Sequence, residues 1–389
     1  MNILHTECGH NWGGQELRTF LEVRWLNAHG HRAWLVCDPR SESFRRGTEE
    51  KVPLIPITMR RTTDFAAAWE LARVCRELKI DLIHNHGPKD AWISYPLYLA
   101  GIPVVRARQI PVPQNPSWAR RYIYRHGCWK LAPSSEDIRR GLIRNFKISP
   151  ERAVLLDEGV DLERFNPKQD GSAFRKEFGI APEAPLFGIV AMLRAEKGHH
   201  LFLAAAYEVL KTYPQARFVI VGEGVGKGKR VERETREKLF QAFGPDESTH
   251  PVRMTGYRKD MPQIMAALDV LTVPSTSEAQ TLVIPQAMAT CRAVIGSRTG
   301  GIPELIEHEK NGLLFDCGDW RTMAAQMKQL IQDPALRRRL AEAGFDYARK
   351  NLSFEAKMEK TLRVYQEAVA DPRLKQGLGR AIWRRIFLR

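Results

Sequence analysis

The chain runs to 389 residues, long enough for two ordinary domains with a core apiece. Its content of 43% hydrophobic and 27% charged residues excludes a disordered chain; no apolar run of about 18 residues is present to cross a bilayer. A formal net charge of +15 points to an anionic surface or substrate.

In chain order, the opening MNILHTECGHNWGG has neither a basic n-region nor an apolar run long enough for a signal peptide, so cytoplasmic residence is expected. Short apolar or β-branched runs at 2–7, 32–38, 51–57, 81–86, 103–109 and 129–134 read as strands, with helical patterns at 16–30 and 64–79 between them. The second helix places Phe65, Ala68, Trp69, Ala72, Val74 and Cys75 near one face of a 3.6-residue period. A second series of strands follows at 186–192, 216–224, 252–256, 268–274, 293–297 and 312–316, with a helix at 199–213. Helices at 319–332, 334–350 and 353–370 close the pattern. Strands alternating with helices predict parallel βαβ units, an α/β fold. Pro, Gly and polar residues around 165–185 mark a boundary, giving domains at 1–166 and 167–352 and a basic tail at 371–389. Two such domains facing one another would form a cleft between their strand ends. Six scattered cysteines, without a CxxC pair, argue for buried free thiols and against a structural zinc.

Glycines and charges gather where strands end. NWGGQE (11–16) sets Gly-Gly between a strand and a helix, where backbone N–H groups meet a phosphate or simply make a tight turn. DLIHNHG (81–87) puts His84 and His86 on one face of a strand. A hydrogen bond to a substrate hydroxyl and a structural role both suit His86. No carboxylate or thiol stands at ligand spacing nearby, so no metal is expected. MLRAEKGHH (192–200) holds Arg194 and Lys197 in a strand-to-helix loop, where convergence on a diphosphate and a solvated basic loop both suit them. GEGVGKGKR (222–230) fails the phosphate-loop pattern, with Glu223 at the first glycine and Arg230 at the Ser/Thr, and most of it reads as a mobile, solvated loop. RTGGIPELI (298–306) is another strand–Gly-Gly–helix junction, with Pro303 and Glu304 in the first turn. TSEAQTLVIPQAMA (276–289) is a further strand–loop–helix junction, carrying Glu278 and Gln286.

Taken together, Glu278 with its following helix, RAEKG, TGGIPELI followed by NGLLF (311–315), GGQE, DLIHNHG and EGVDLERF (158–165) resemble the motifs of the retaining glycosyltransferases of family 4, from about residue 1 to about 370. The resemblance implies the GT-B fold, two Rossmann-like domains with parallel sheets facing a central cleft. It places the nucleotide-sugar mainly on the second domain and packs a crossover helix, 353–370, on the first. It implies that Glu278 binds hydroxyls of the donor sugar, that backbone amides at Thr281 and Leu282 cap the diphosphate, and that Lys197 neutralises it. Gly14 would lie close to the phosphates and His86 would hydrogen-bond the sugar near the reacting carbon. Arg194, Gln286 and Glu304 complete the expected donor set. The implied reaction is transfer with retention, without metal or other cofactor, the leaving phosphate helping to deprotonate the acceptor.

This chain departs from the family pattern at three places. The family pairs two glutamates as E-x7-E, and here the second is Gln286, which keeps one acceptor oxygen and loses the charge. A charge-assisted hydrogen bond is worth about 1.5–3 kcal/mol against about 1 for a neutral one, so weaker or altered nucleotide binding is expected. Met192 stands five residues before Lys197 where an arginine is usual, and Glu158 stands where asparagine is common.

Residues 106–147 hold ten Lys/Arg against two acids, with Trp118, Tyr122, Tyr124 and Trp129 interleaved. RNA, an anionic lipid surface and a solvated helix over core aromatics all suit that composition. The tail 372–389 holds six Lys/Arg and no acid and reads as a basic amphipathic helix. Arg120, Arg121 and Arg125, with Trp383, Arg384 and Arg385, form the expected acceptor and membrane surface. The resulting expectation is a peripheral enzyme on the inner face of the cytoplasmic membrane. It would move a sugar from a nucleotide-sugar, a UDP-sugar favoured, to a lipid-linked glycan such as a lipopolysaccharide-core or cell-surface polysaccharide intermediate. The rivals are a nucleotide-sugar epimerase of the same architecture and a catalytically weak nucleotide-sugar-binding protein. Nucleic acid, which charge alone permits, is not the expected partner.

Overall fold

The computed structural model describes residues 1–10, 12–374, 383 and 385–387. Two six-stranded sheets organise them. The first holds β1 (Asn2–Glu7), β2 (Arg32–Cys37), β3 (Leu54–Pro56), β4 (Leu82–Asn85), β5 (Val104–Arg108) and β6 (Lys130–Pro133), in the order β3-β2-β1-β4-β5-β6. The second holds β7 (Leu186–Val190), β8 (Arg217–Val221), β9 (Val252–Gly256), β10 (Val270–Val273), β11 (Ala293–Ser297) and β12 (Leu313–Phe315), in the order β12-β11-β10-β7-β8-β9. Every pairing in both is parallel, as in the registers Thr6↔Asn85 and Leu271↔Gly188. Each is the doubly wound order, reversing between β1 and β4 in one sheet and between β7 and β10 in the other. Loops leaving the strand ends at such a reversal diverge to opposite faces and leave a crevice for ligands.

The second sheet shows why these residues make strands. In β8, Phe218 and Ile220 face one apolar layer while Val219 and Val221 face another. The first layer is closed by Phe202, Ala206 and Val209 of the helix His199–Leu210 and by Met323, Met327 and Leu330 of the helix Trp320–Gln332. Ile284, Ala287 and Met288 of the helix Val283–Ala289 help close the other. A strand buried on both faces must be apolar throughout, and each large side chain so buried contributes about 1.5–3 kcal/mol.

The chain divides into two compact units, Met1–Asp157 with Lys357–Arg389, and Glu158–Ala356. The sequence boundary assigns 158–166 to the first domain, whereas these residues belong to the second. Val160 N donates to the Leu352 carbonyl at 2.8 Å, and Val160 and Phe165 are buried in the second unit's core. The helix Phe354–Ala370 begins in the second unit and continues in the first. Its buried residues Lys357, Met358, Thr361, Val364, Tyr365 and Ala368 recur every three or four positions.

Two local expectations are corrected. The loop read at 222–230 ends early, because a helix starts at Gly228 and runs to Phe243. The helix Phe65–Glu77 buries Ala67, Ala68, Leu71, Ala72, Val74 and Cys75, while Phe65 and Trp69 are 78% and 54% exposed. The alanines let this helix pack closely, and its large aromatics fall on the solvent side. Four cysteines (Cys8, Cys37, Cys75 and Cys128) are buried free thiols, but Cys317 is exposed. Among the described residues no helix is long and apolar enough to cross a membrane.

Candidate functional site

Three loops interlock at the C-terminal ends of β7, β10 and β11. After β7 the chain makes a 3₁₀ turn, Ala195–Lys197, ended by Gly198 at φ +72°. A Cβ on Gly198 would stand 2.0 Å from the Pro274 carbonyl oxygen, so only glycine lets the two loops approach. The contact is sealed by Thr276 N, which donates to the Glu196 carbonyl at 2.8 Å. From the other side, Gly300 sits at φ +52° and a Cβ there would fall 1.7 Å from the Glu278 carbonyl oxygen. Gly301 N donates to the Ala279 carbonyl at 3.0 Å and Ser297 Oγ to the Ser275 carbonyl at 2.6 Å.

This bracing fixes Glu278. Its side chain is only 8% exposed, and one carboxylate oxygen, Oε2, accepts from Lys197 Nζ at 2.7 Å and from Ser275 Oγ at 3.0 Å. Two residues expected to bind different parts of one donor are thus each other's partner. Thr281 is buried and Leu282 is the N-cap of the helix Val283–Ala289. Among the described residues the amides of Thr281 and Leu282 donate to no carbonyl, which fits the polarity of an anion site. Pro285 is the third residue of that helix, where its missing N–H costs nothing. Gln286 follows, half-buried. Arg194 Nη1 lies 4.0 Å from Glu196 Oε1, and Met192 beside it is half-buried. Glu304 lies in the short helix Ile302–Leu305, its carbonyl accepting from Tyr347 Oη at 3.2 Å. Gln280 turns elsewhere: its Oε1 accepts from Glu158 N at 2.9 Å.

In the first unit, the loops after β1 and β4 carry Gly14 and His86. Gly14 is exposed at the start of the helix Gly14–Ala28. His86 lies just past β4 and is 7% exposed. Its Nε2 is 3.0 Å from His5 Nδ1, and its ring lies 4.4 Å, centroid to centroid, from His84. His84 Nδ1 meets the Tyr365 hydroxyl at 2.5 Å, and Lys357 Nζ contacts Glu22 Oε1. Glu22 Oε2 stands 3.8 Å from both His5 Nδ1 and His84 Nδ1.

Burial pushes the histidine pKa values down, to about 4 for His5 and about 3 for His84, with His86 also far below its ordinary value. Burial alone would push the Glu22 carboxyl up, but the Lys357 ammonium at its Oε1 holds it below the usual carboxylate range.

His5, Glu22, Lys357 and Tyr365 are the residues that sequence reading misses. They lie 79 residues before His84, within another helix, and more than 270 residues after it, so no local spacing reveals them. The expectation that no carboxylate accompanies the histidine pair is therefore corrected. His5, Glu22, His84 and His86 each present a ligand atom, all within 4.8 Å of one another. Lys357 already balances the single carboxylate, so a divalent cation here would leave two buried positive charges uncompensated.

The basic residues divide. Arg120 and Arg121 are exposed on the helix Trp118–His126, with Trp118 77% exposed, whereas Arg125 Nε donates to the Phe146 carbonyl at 2.9 Å. Tyr124 is a core residue, with the Arg106 guanidinium 3.8 Å from its ring centroid. Trp383 stacks on Phe387 at 5.7 Å, Phe387 lies 5.6 Å from Trp69, and Arg385 is exposed. Arg384 lies outside the described residues.

Comparison with known proteins finds the description Glycosyltransferase Family 4 matching residues 12–164 and Glycosyl transferases group 1 matching residues 184–333. A D-inositol 3-phosphate glycosyltransferase of Corynebacterium efficiens is 27% identical over 61% of this chain and 56% of its own length. Another, from Corynebacterium jeikeium, is 28% identical over 75% of this chain and 74% of its own. A sulfoquinovosyl transferase of Arabidopsis thaliana is 28% identical over 80% and 59%. The chain thus spans little more than half the length of several curated relatives that it matches. Among solved structures, HepE of Anabaena in complex with UDP superposes with TM-score 0.80 at 20% identity, covering 94% of this chain and 100% of that one. A glycosyltransferase of Rickettsia africae gives TM-score 0.84 at 17% identity, covering 95% and 99%. These likenesses establish the fold, two Rossmann-like domains of the GT-B type.

Proposed function

Because this chain belongs to the family 4, group 1 glycosyltransferases, we propose that it transfers a sugar from a nucleotide-sugar, a UDP-sugar favoured, to an acceptor hydroxyl with retention. The observation that carries the reading is the pairing of Lys197 with Glu278 inside loops that Gly198 and Gly300 hold together at the sheet's reversal point. A donor diphosphate would draw the Lys197 ammonium to itself, with Arg194 and the amides of Thr281 and Leu282 adding positive potential. The Glu278 carboxylate would then accept hydrogen bonds from sugar hydroxyls. Positive charge fixed beside a departing nucleoside diphosphate is stronger in the transition state than in the ground state, which is where catalysis gains. In this reading those groups supply the charge that a divalent cation supplies elsewhere. Gln286 meets the ribose as a neutral partner, and His86 hydrogen-bonds the transferred sugar.

The proposed acceptor is a lipid-linked glycan, such as a lipopolysaccharide-core or polysaccharide intermediate, reached by a peripheral enzyme at an anionic membrane. Its support is the basic tail and the exposed Arg120, Arg121 and Trp118. The test is a thermal-shift and product-release screen of the purified chain against UDP-, GDP-, ADP- and CMP-sugars, with and without lipid-linked acceptors. Binding of one nucleotide class, release of its nucleotide on addition of acceptor, and loss of both in Glu278→Ala are expected. Interconversion of the sugar without an acceptor would mean an epimerase, and binding without turnover a sugar-nucleotide receptor.

A further inference from the structure

His86 and His5 share a single proton. Both rings are neutral under ordinary conditions, because burial pushes both pKa values far down, and their nitrogens stand 3.0 Å apart. Two arrangements satisfy that contact. Either His5 Nδ1–H donates to His86 Nε2, or His86 Nε2–H donates to His5 Nδ1. They differ in what His86 presents on its other nitrogen, Nδ1–H in the first case and a lone pair in the second.

The Glu22 carboxylate decides between them. Its Oε2 lies 3.8 Å from His5 Nδ1 and is buried without a hydrogen bond of its own. Lys357 contacts the other oxygen, Oε1, so the carboxylate stays ionised and oriented. With the proton on His5 Nδ1, the positive end of an N–H dipole faces the anion. With the proton on His86, a nitrogen lone pair faces it instead, and in a site this dry that difference is weakly screened. His84 offers no alternative partner, since its Nδ1 is taken by the Tyr365 hydroxyl at 2.5 Å.

Resting on the glycosyltransferase reading above, we infer that Glu22 and His5 are positioning residues that lock His86 in its Nδ1–H tautomer, so that His86 meets the substrate as a neutral hydrogen-bond donor and not as a base. His86 Nδ1 is buried without a partner among the described residues. An N–H in that position calls for an acceptor, and a sugar hydroxyl or phosphate oxygen supplies one. The acceptor's proton must then go to another group, which agrees with a leaving phosphate as the base.

The test is ¹⁵N NMR of the full chain labelled at histidine, at pH 7.5. His86 is identified by its loss in His86→Ala. Variants His5→Gln, His5→Phe and Glu22→Gln are compared, each checked by circular dichroism and thermal melting. The expected spectrum has His86 protonated at Nδ1 and bare at Nε2. His5→Gln, whose amide also donates, keeps that pattern, whereas His5→Phe and Glu22→Gln mix the tautomers.

Turnover of UDP-glucose by folded variants is expected to fall about tenfold in kcat with KM little changed for His5→Phe, and to be largely rescued in His5→Gln. A wild-type spectrum with the proton on Nε2, or a tautomer unmoved by His5→Phe, overturns the inference and leaves the glycosyltransferase reading intact. Absence of any nucleotide-sugar turnover in the wild type overturns that reading instead, while the spectrum still reports the tautomer.

Discussion

Lys197 and Glu278 neutralise one another across 2.7 Å, with the ammonium one-fifth exposed and the carboxylate almost buried. Removing one partner leaves the other charged in a poorly solvated place. Lys197→Met and Glu278→Gln are each expected to lower stability by about 1–3 kcal/mol. The double variant should recover part of that loss, since neither charge is then orphaned. It should not recover nucleotide-sugar binding. Thermal melts and donor titrations of the three variants form the cycle, and simple additivity in stability would disprove the coupling.

Gly300 is expected to tolerate no side chain. At φ +52° and with the Glu278 carbonyl 1.7 Å from an added Cβ, Gly300→Ala must push the loop that carries Glu278 away. Strain of this kind costs on the order of 1–3 kcal/mol. We expect far-ultraviolet circular dichroism to survive and donor affinity to fall at least tenfold. Gly179→Ala serves as control: it too has positive φ, at +62°, but its Cβ would meet nothing within 4 Å.

Gln286 offers the converse experiment. Under the proposed function, a carboxylate introduced by Gln286→Glu would give the ribose hydroxyls a charged acceptor. Nucleotide affinity should rise by about tenfold, the difference between a charge-assisted and a neutral hydrogen bond. Isothermal titration with UDP is the measurement, and unchanged affinity would place Gln286 away from the ribose.

The buried histidines make stability depend on pH with a definite sign. In the unfolded chain each histidine takes a proton near its ordinary value of 6.5, whereas in the fold His5 and His84 do so only near 4 and 3, and His86 also well below. Between those limits the unfolded state binds more protons, so stability falls as pH drops below about 6.5, by up to about 1.4 kcal/mol per pH unit for each histidine. Glu7 acts oppositely. Burial first, then Glu16 and Asp90, push its carboxyl up to about 8, so its share of stability is lost as pH rises from its ordinary value of 4.5 towards 8. Of these four groups the net slope from pH 6 to 5 is about two protons. Melting temperature should therefore fall on acidification, less steeply in His84→Gln.

The sequence carried the strands well, because a sheet buried on both faces needs uninterrupted apolar runs and these stand out against polar loops. VRMTG and AVIGS are strands over the residues expected, and the Gly-Gly junction at 300–301 lies against the loop that carries Glu278. What failed was what depends on neighbours. Phe65 and Trp69 keep helical periodicity with Ala68 and Ala72, yet only the alanines fit against the rest of the unit. Nor does any spacing announce that Lys197 pairs with Glu278, eighty-one positions away. The glycines that force the contact were legible, but their reason, a carbonyl oxygen 2 Å from an absent Cβ, exists only in three dimensions.

The helix Phe354–Ala370 finally bears on how the molecule is made. Its Lys357 and Tyr365 complete the first unit's core, yet they leave the ribosome some 200 residues after Asp157. Until they arrive, Glu22 has no ammonium to offset it, and an unpaired buried carboxylate opposes compaction. The second unit, Glu158–Ala356, is a single uninterrupted stretch and meets no such delay. Vectorial synthesis therefore favours maturation of the middle of the chain before its beginning, contrary to the usual N-to-C order. A nascent chain stalled before residue 357 would present the first unit to chaperones and proteases with its histidine cluster unfinished.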